Sequence, residues 1–481
     1  MLVAELFPYA NVAYDILTVL YVLTIATVVG VILSENRNPV KSLAWVTVLT
    51  LLPVMGLVLY LFFGRNLKGI RLVSRQDQRL LRSRTHFQHA NVAELPLSDE
   101  SKQMIRLTDT LMPPHFFTHT RMEIFSSGHD KFEALKRDLL AAEQYINLQY
   151  YIIENDHTGR ELCNILVEKV KQGVKVRMLY DHVGSFTIHA SFFKRLRKAG
   201  IDAHPFLEVT FTQLANRLNW RNHRKIVVID GKVGYIGGMN IADRYVRGER
   251  SQKPWRDTHL RLEGDAVAAL QYSFAIDWNV TSREVLPEVI PAFDQRPTMQ
   301  GGLQVVSSSP TDRWNRISVV FLKAISLAQK SIYIQTPYFL PNDALLKALQ
   351  CAALAHVDVR LMLPRRPDSL LLRYASNSYL KECMLSGIKV YFYEPAMLHA
   401  KTVIMDDEFV TTGSTNFDFR SFEHNLECNV MVYDPHFCQQ MKDLFMADQE
   451  QSTRMTLASW KKRSVWQKAL ESMVRLMSPI L

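Results

Sequence analysis

One stretch of this sequence occurs twice, and the repeat constrains the fold more than any other feature. HRKIVVIDGKVGYIGGMN begins at His223 and HAKTVIMDDEFVTTGSTN begins at His399. Both read His-x-Lys-x4-Asp-x6-Gly-[Gly/Ser]-x-Asn. His223, Lys225, Asp230, Gly237, Gly238 and Asn240 therefore correspond to His399, Lys401, Asp406, Gly413, Ser414 and Asn416. From ordinary residue usage the His-x-Lys-x4-Asp core arises at roughly one start position in ten thousand, so two full copies mean duplication. The flanks repeat as well. YINLQYYI, a helical pattern and VKVRMLYD are matched by SIYIQTPYFL, a helical pattern and VDVRLMLP, and KAGIDAHPF is matched by LSGIKVYFY. Strands alternating with helices predict an α/β fold, and two facing copies of one unit would create a shared site.

Pro and Gly collect in LPEVIPAFDQRPTMQGG, within the boundary region 285–305, and break the periodic pattern. The expected organisation is a membrane segment (1–64), a basic linker (65–115) that turns polar around 85–115, two repeated domains (116–295 and 296–455) and a tail (456–481).

The membrane segment rests on two runs without a charged residue, Ile16–Leu33 and Ser42–Gly64, joined by SENRNPVKS. A hydrocarbon core of about 30 Å takes about 20 helical residues, so the runs read as a transmembrane hairpin. No Lys or Arg precedes Arg37, which argues against a cleaved signal peptide. Pro53 marks either a kink or a segment that turns back. Arg65, Lys68, Arg71, Arg75, Arg79, Arg82 and Arg84, opposed only by Asp77, predict a multi-pass protein with its downstream chain in the cytoplasm. In the tail, Trp460, Trp466, Leu470, Val474 and Met477 recur at helical spacing beside Lys461, Lys462, Arg463, Lys468 and Arg475. That pattern suits an interfacial helix or a helix docked on the protein's own surface.

The net charge of +10 calls for an anionic partner, whether nucleic acid, small acid or bilayer surface. Cys163, Cys351, Cys383, Cys428 and Cys438 show no CxxC spacing, so free, mostly buried thiols are expected.

On a strand, residues two apart share a face, which sets His223 beside Lys225 and His399 beside Lys401. A lysine next to each histidine disfavours a metal site, and no metal or other cofactor is expected. His115 and His119 lack the glutamate of a zinc-protease motif. No Gly-x-Ser-x-Gly elbow marks a serine hydrolase. A histidine pair with a lysine pair suits a phosphodiester: one imidazole attacks phosphorus while the other protonates the leaving oxygen. Lys225, Lys401, Asn240 and Asn416 would stabilise the equatorial oxygens. Asp230 and Asp406, at strand ends, organise the motif more than they touch substrate. Each imidazole needs an acceptor at its other nitrogen, and Asp257 and Glu427 lie at comparable offsets downstream.

These motifs resemble the duplicated HKD signature of the phospholipase D superfamily. The hairpin NPVKSLAWVTVLTLLPVMGLVLYLFFGR, the EPAMLHAK approach and the tail RLMSPIL resemble bacterial cardiolipin synthases. The resemblance implies two α/β/α sandwich domains related by a pseudo-twofold axis. It implies phosphatidylglycerol and an anionic bilayer as partners, the bacterial inner membrane as the location, and His223 as the attacking residue. A phospholipase D or another phosphatidyltransferase with a different acceptor is the alternative, and a nuclease fits less well because no nucleic-acid partner explains the hairpin. Self-association is left open. Gly238 stands where many superfamily members carry the serine present at Ser414, so hydroxyl help to the phosphate is expected only in the second half.

Overall fold

The computed structural model describes residues 7–34, 39–52, 54–64, 68–85, 87, 90–186, 188–208, 220–248, 253–289 and 299–478. They fall into two compact units, one before Lys68 and one from Lys68 onward.

In the first unit a helix spans Phe7–Ser34 and a second spans Pro39–Leu51. They form a hairpin in which the Tyr21 hydroxyl donates to Leu49 O (3.5 Å), with Ile32, Leu49 and Tyr60 at its centre. Within the first helix, Tyr14–Ser34 is long and apolar enough to cross a membrane. In the second apolar run the chain follows the turn back that is one of the two alternatives at Pro53. After Leu51 the chain turns, and Met55–Leu59 leads into a π-helical Tyr60–Gly64. This segment lies back against its own first half, with the Trp45 and Tyr60 rings edge to face at 5.5 Å. A Cβ at Gly56 would meet the Val48 carbonyl, so glycine permits the close return. Pro53, Arg65 and Arg37 lie outside the described residues.

The second unit holds two sheets of matching topology. The first contains β1 (Thr120–Phe125), β2 (Tyr145–Tyr150), β3 (Lys175–Asp181), β4 (Asp202–Phe206), β5 (Ile226–Ile229), β6 (Val233–Gly237) and β7 (His259–Gly264) in the order β1-β7-β6-β5-β2-β3-β4. The second contains β8 (Leu303–Ser308), β9 (Ser331–Gln335), β10 (Asp358–Pro364), β11 (Lys389–Tyr393), β12 (Thr402–Met405), β13 (Phe409–Gly413) and β14 (Asn425–Val432). Its order is β8-β14-β13-β12-β9-β10-β11, with β15 (Ser452–Met455) added at the far edge. Adding seven to each label of the first sheet gives the second. Register agrees too: Ile146 faces Ile229 and Ile332 faces Met405, each the residue before the motif aspartate.

Alternation along the motif strands divides two cores. Ile226, Val228 and Ile404 enter one that both sheets share with the helices Val267–Ser282 and Pro435–Glu450. Val227 and Ile229 enter a core under the helices Gly128–Leu140 and His157–Lys171, while Val403 and Met405 enter the corresponding one in the second half. The motif histidines and lysines have the parity of Val227 and Val403, which places each pair together at the mouth of its strand.

Part of the stretch read as polar is a helix, Asp99–Leu111, capped by Ser98 and burying Met104 and Ile105 at helical spacing. A second capped helix, Arg75–Arg84, inserts Leu81 against Phe274 and Trp278. These two turns of apolar spacing are short and sit among charges, so the composition masked them.

Candidate active site

The halves are stitched beside the motifs. Arg221 and Asn222 pair with Asn425 and Leu426, and His223 N donates to Leu426 O at 3.0 Å. Reciprocally, His399 N donates to Arg256 O at 2.7 Å. Each histidine is thereby fixed to the strand entry of the other half, and both are buried.

The orienting carboxylates follow the same exchange. Glu427 lies 3.0 Å from Nδ1 of His223, and Asp257 lies 2.6 Å from Nδ1 of His399. Each candidate acceptor thus serves the histidine of the opposite half, a crossing that sequence order alone does not reveal. With Nδ1 committed to a carboxylate, Nε2 is the nitrogen left to meet a substrate.

Lys225 Nζ donates to His223 O at 2.6 Å, and Lys401 Nζ bonds His399 O in the same way. Burial lowers both ammonium groups, Lys225 to about 7 and Lys401 to about 8, against the opposing pull of Glu427 and Asp257. Burial and then Lys401 push His399 down to about 4, and His223 is lowered for similar reasons. Burial raises Glu427 and Asp257, but their ionic partners outweigh it and hold both below the ordinary carboxylate value. The resting site therefore pairs neutral imidazoles with carboxylates.

Asp230 accepts from the backbone N–H groups of Glu143, Gln144 and Tyr145 at 2.8–2.9 Å. Asp406 accepts from Gln329, Lys330 and Ser331 at 2.6–2.7 Å. Both aspartates have positive φ, 53° and 52°, and both tie the motif strand to the start of its central neighbour.

Asn240 is engaged on both ends of its amide, accepting from Ile152 N (3.2 Å) and donating to the Tyr245 hydroxyl (3.2 Å). Asn416 is buried, and its Oδ1 has no hydrogen-bond partner among the described residues. The Ser414 hydroxyl bonds Glu427 and receives Cys428 N at 3.0 Å. At the matching place in the first half a Cβ on Gly238 would collide with the Asp257 carboxylate. The Gly/Ser difference between the motifs thus bears on how each carboxylate is held.

Sequence reading missed a supporting layer. Arg224 Nη1 donates to both oxygens of Asp277 (2.6 and 2.7 Å) and its Nε to Glu427 O (3.1 Å), while Gln149 donates to Asp277 (2.6 Å). Arg256 meets Asp448 at 2.9 Å and donates to Asp257 O (2.8 Å), while Gln335 donates to Asp448 (2.8 Å). A signal was present: YINLQ and SIYIQ share the glutamine, and an aspartate sits late in the helix of each half. Tyr245 also reaches across, its hydroxyl 3.3 Å from Nδ1 of His399. His115 is structural, with Nε2 2.9 Å from Val305 O.

Two copies of one α/β unit sharing a His–Lys pair from each half is the architecture of a phospholipase D-type protein. Comparison with known sequences narrows this. Residues 135–252 and 321–449 match the domain described as "Cardiolipin synthase, PLD-like domain", and residues 20–65 match "Phospholipase_D-nuclease N-terminal". The major cardiolipin synthase ClsA of Bacillus subtilis is 38% identical over 98% of this chain and 100% of its own length. Cardiolipin synthase 2 of Bacillus anthracis is 40% identical over 94% of this chain and 89% of its own. A phosphatidylserine synthase structure from Haemophilus influenzae shares the fold, with a TM-score of 0.60 at 14% identity over 80% of this chain and all of its own. The chain belongs to the cardiolipin synthase family of phosphatidyltransferases.

Proposed function

We propose that the protein moves the phosphatidyl group of one phosphatidylglycerol onto the headgroup hydroxyl of another, giving cardiolipin and glycerol. The observation that carries this reading is the crossed pairing of His223 with Glu427 and His399 with Asp257, which makes one site from two halves.

Nε2 of His223 attacks phosphorus while the protonated His399 gives its proton to the departing glycerol oxygen. Glu427 offsets the charge that grows on the attacking ring. The arriving phosphodiester anion raises the depressed histidines and lysines, which lets His399 carry its proton and keeps Lys225 and Lys401 cationic. In the second step neutral His399 removes the proton from the incoming hydroxyl, that oxygen bonds phosphorus, and His223 departs. His223, Lys225, His399 and Lys401 form the catalytic set, with Asp230 and Asp406 holding its strands, Asp257, Glu427 and Ser414 orienting the imidazoles, and Asn240 and Asn416 bordering the phosphate.

The repeats 116–295 and 296–455 are the two domains of this reading, and the basic stretch after Gly64 holds them on the cytoplasmic face of the bacterial inner membrane. The test is purified protein with labelled phosphatidylglycerol, EDTA and no nucleotide. Cardiolipin and glycerol should appear together, and with a substrate whose leaving group needs little protonation His399→Asn should accumulate adduct on His223, because attack remains possible while the second step lacks its base. Phosphatidic acid as the main product would make the protein a phospholipase D. Activity that requires an added divalent ion, or adduct on His399, would overturn the mechanism.

A further inference from the structure

The C-terminal helix Val465–Arg475 is docked with its polarity inverted. Residues at spacings of three and four normally bury an apolar stripe and expose a polar one. Here the inward stripe is Gln467, Glu471, Val474 and Ser478, with Glu471 only 3% exposed. It is held by polar contacts: Glu471 receives Arg463, Asn377 (3.3 Å) and Gln467 (3.1 Å), and Arg475 bonds Glu382. The outward stripe is Trp466, Leu470, Met473 and Met477, flanked by Val465 and Leu476. Trp466 is 86% exposed and Leu476 84%.

Exposing this stripe to water costs roughly 25 cal/mol per Å² of apolar surface, whereas the polar inner face gains little from burial. The arrangement is favourable only if the outer stripe meets an apolar phase. Charge identifies that phase. Lys461, Lys462 and Lys468 flank the stripe and are exposed, and Arg373 lines the adjoining groove, where Arg463 and Arg365 already meet Glu471 and Glu394. Trp and Lys together at the edge of an apolar stripe suit the headgroup layer of an anionic bilayer.

We propose that this helix is a second membrane contact, with Trp466, Leu470 and Met473 inserted among the acyl chains and the lysines on the headgroups. The proposal stands apart from the N-terminal apolar helices and from the reaction.

The test uses the full chain with Cys351, the exposed cysteine, replaced by serine. A nitroxide is placed in turn at Trp466→Cys, Leu470→Cys, Met473→Cys and Ser472→Cys, in vesicles of phosphatidylcholine with phosphatidylglycerol. At the first three positions, relaxation by oxygen should exceed relaxation by a water-soluble nickel chelate several-fold, and Ser472 should show the reverse. Removing phosphatidylglycerol should shrink the contrast. Equal access of nickel to all four labels would overturn the proposal. So would shielding of the first three from both reagents, which would mean that protein, such as a second copy, covers the stripe.

Discussion

His399 lowered to about 4, beside Lys225 near 7 and Lys401 near 8, defines how activity responds to pH. The attacking His223, also lowered by burial, keeps its neutral form below the ordinary histidine range, whereas His399 takes its proton only once the phosphodiester has arrived. The ammonium groups lose their charge as pH rises through about 7 to 8. In kcat/KM, which reports the free enzyme, the acid limb, set by His223, should therefore lie below the ordinary histidine value and the alkaline limb should run from about 7 to about 8. Lys225→Arg keeps its charge and should carry the plateau up toward about 8 at reduced rate; an unmoved alkaline limb would exclude Lys225 as its source. Gly238→Ser gives a test that family resemblance alone would get backwards. It copies the residue of the second motif, yet its Cβ displaces Asp257 and with it His399. We expect a fall of about a hundredfold in kcat, the scale of losing a positioned acid–base group. Wild-type turnover would show that Asp257 has room to move.

At the scale of elements, the motif aspartates each gather three successive backbone N–H groups and so lock β5 to β2 and β12 to β9. A hydrogen bond to a charged acceptor contributes about 1.5–3 kcal/mol, so Asp230→Ala should destabilise the protein by about 2 kcal/mol or more. Thermal unfolding of the variant reads this; an unchanged midpoint with abolished turnover would place Asp230 on the substrate instead. The repeat, the strands carrying the motifs and the His–Lys pairs were legible because duplication prints the same spacing twice and a strand's period of two turns spacing into geometry. Partner choice was not: Glu427 and Asp257 stand in order with the histidines of their own halves, and only the entry pairing of Arg221–Asn222 with Asn425–Leu426 reverses them. The Gln149–Asp277–Arg224 layer hid for a related reason, since its members come from a strand, a helix and a motif about 130 residues apart at most. The second apolar run stayed open between a kinked crossing and a turn back at Pro53, because a charge-free stretch has no periodicity that separates the two.

For the whole molecule, the folded-back segment bears on topology. Pro39–Leu51 rises about 20 Å at 1.5 Å per residue, short of a hydrocarbon core of about 30 Å, and Met55–Gly64 retraces it. We therefore expect a single crossing, with Asn36, which lies outside the described residues, on the same side as Ser98. An impermeant thiol reagent applied to intact cells should leave cysteines at both positions unlabelled; labelling at Asn36 alone would restore two full crossings. The crossed carboxylates carry a consequence for synthesis on the ribosome. A chain that has emerged only as far as residue 295 already displays His223 and Lys225, but the carboxylate that aims this imidazole is still more than a hundred residues from being made. A half-made chain therefore lacks both the second histidine and the carboxylate that orients the first, so transfer should begin only when the second half closes over the first.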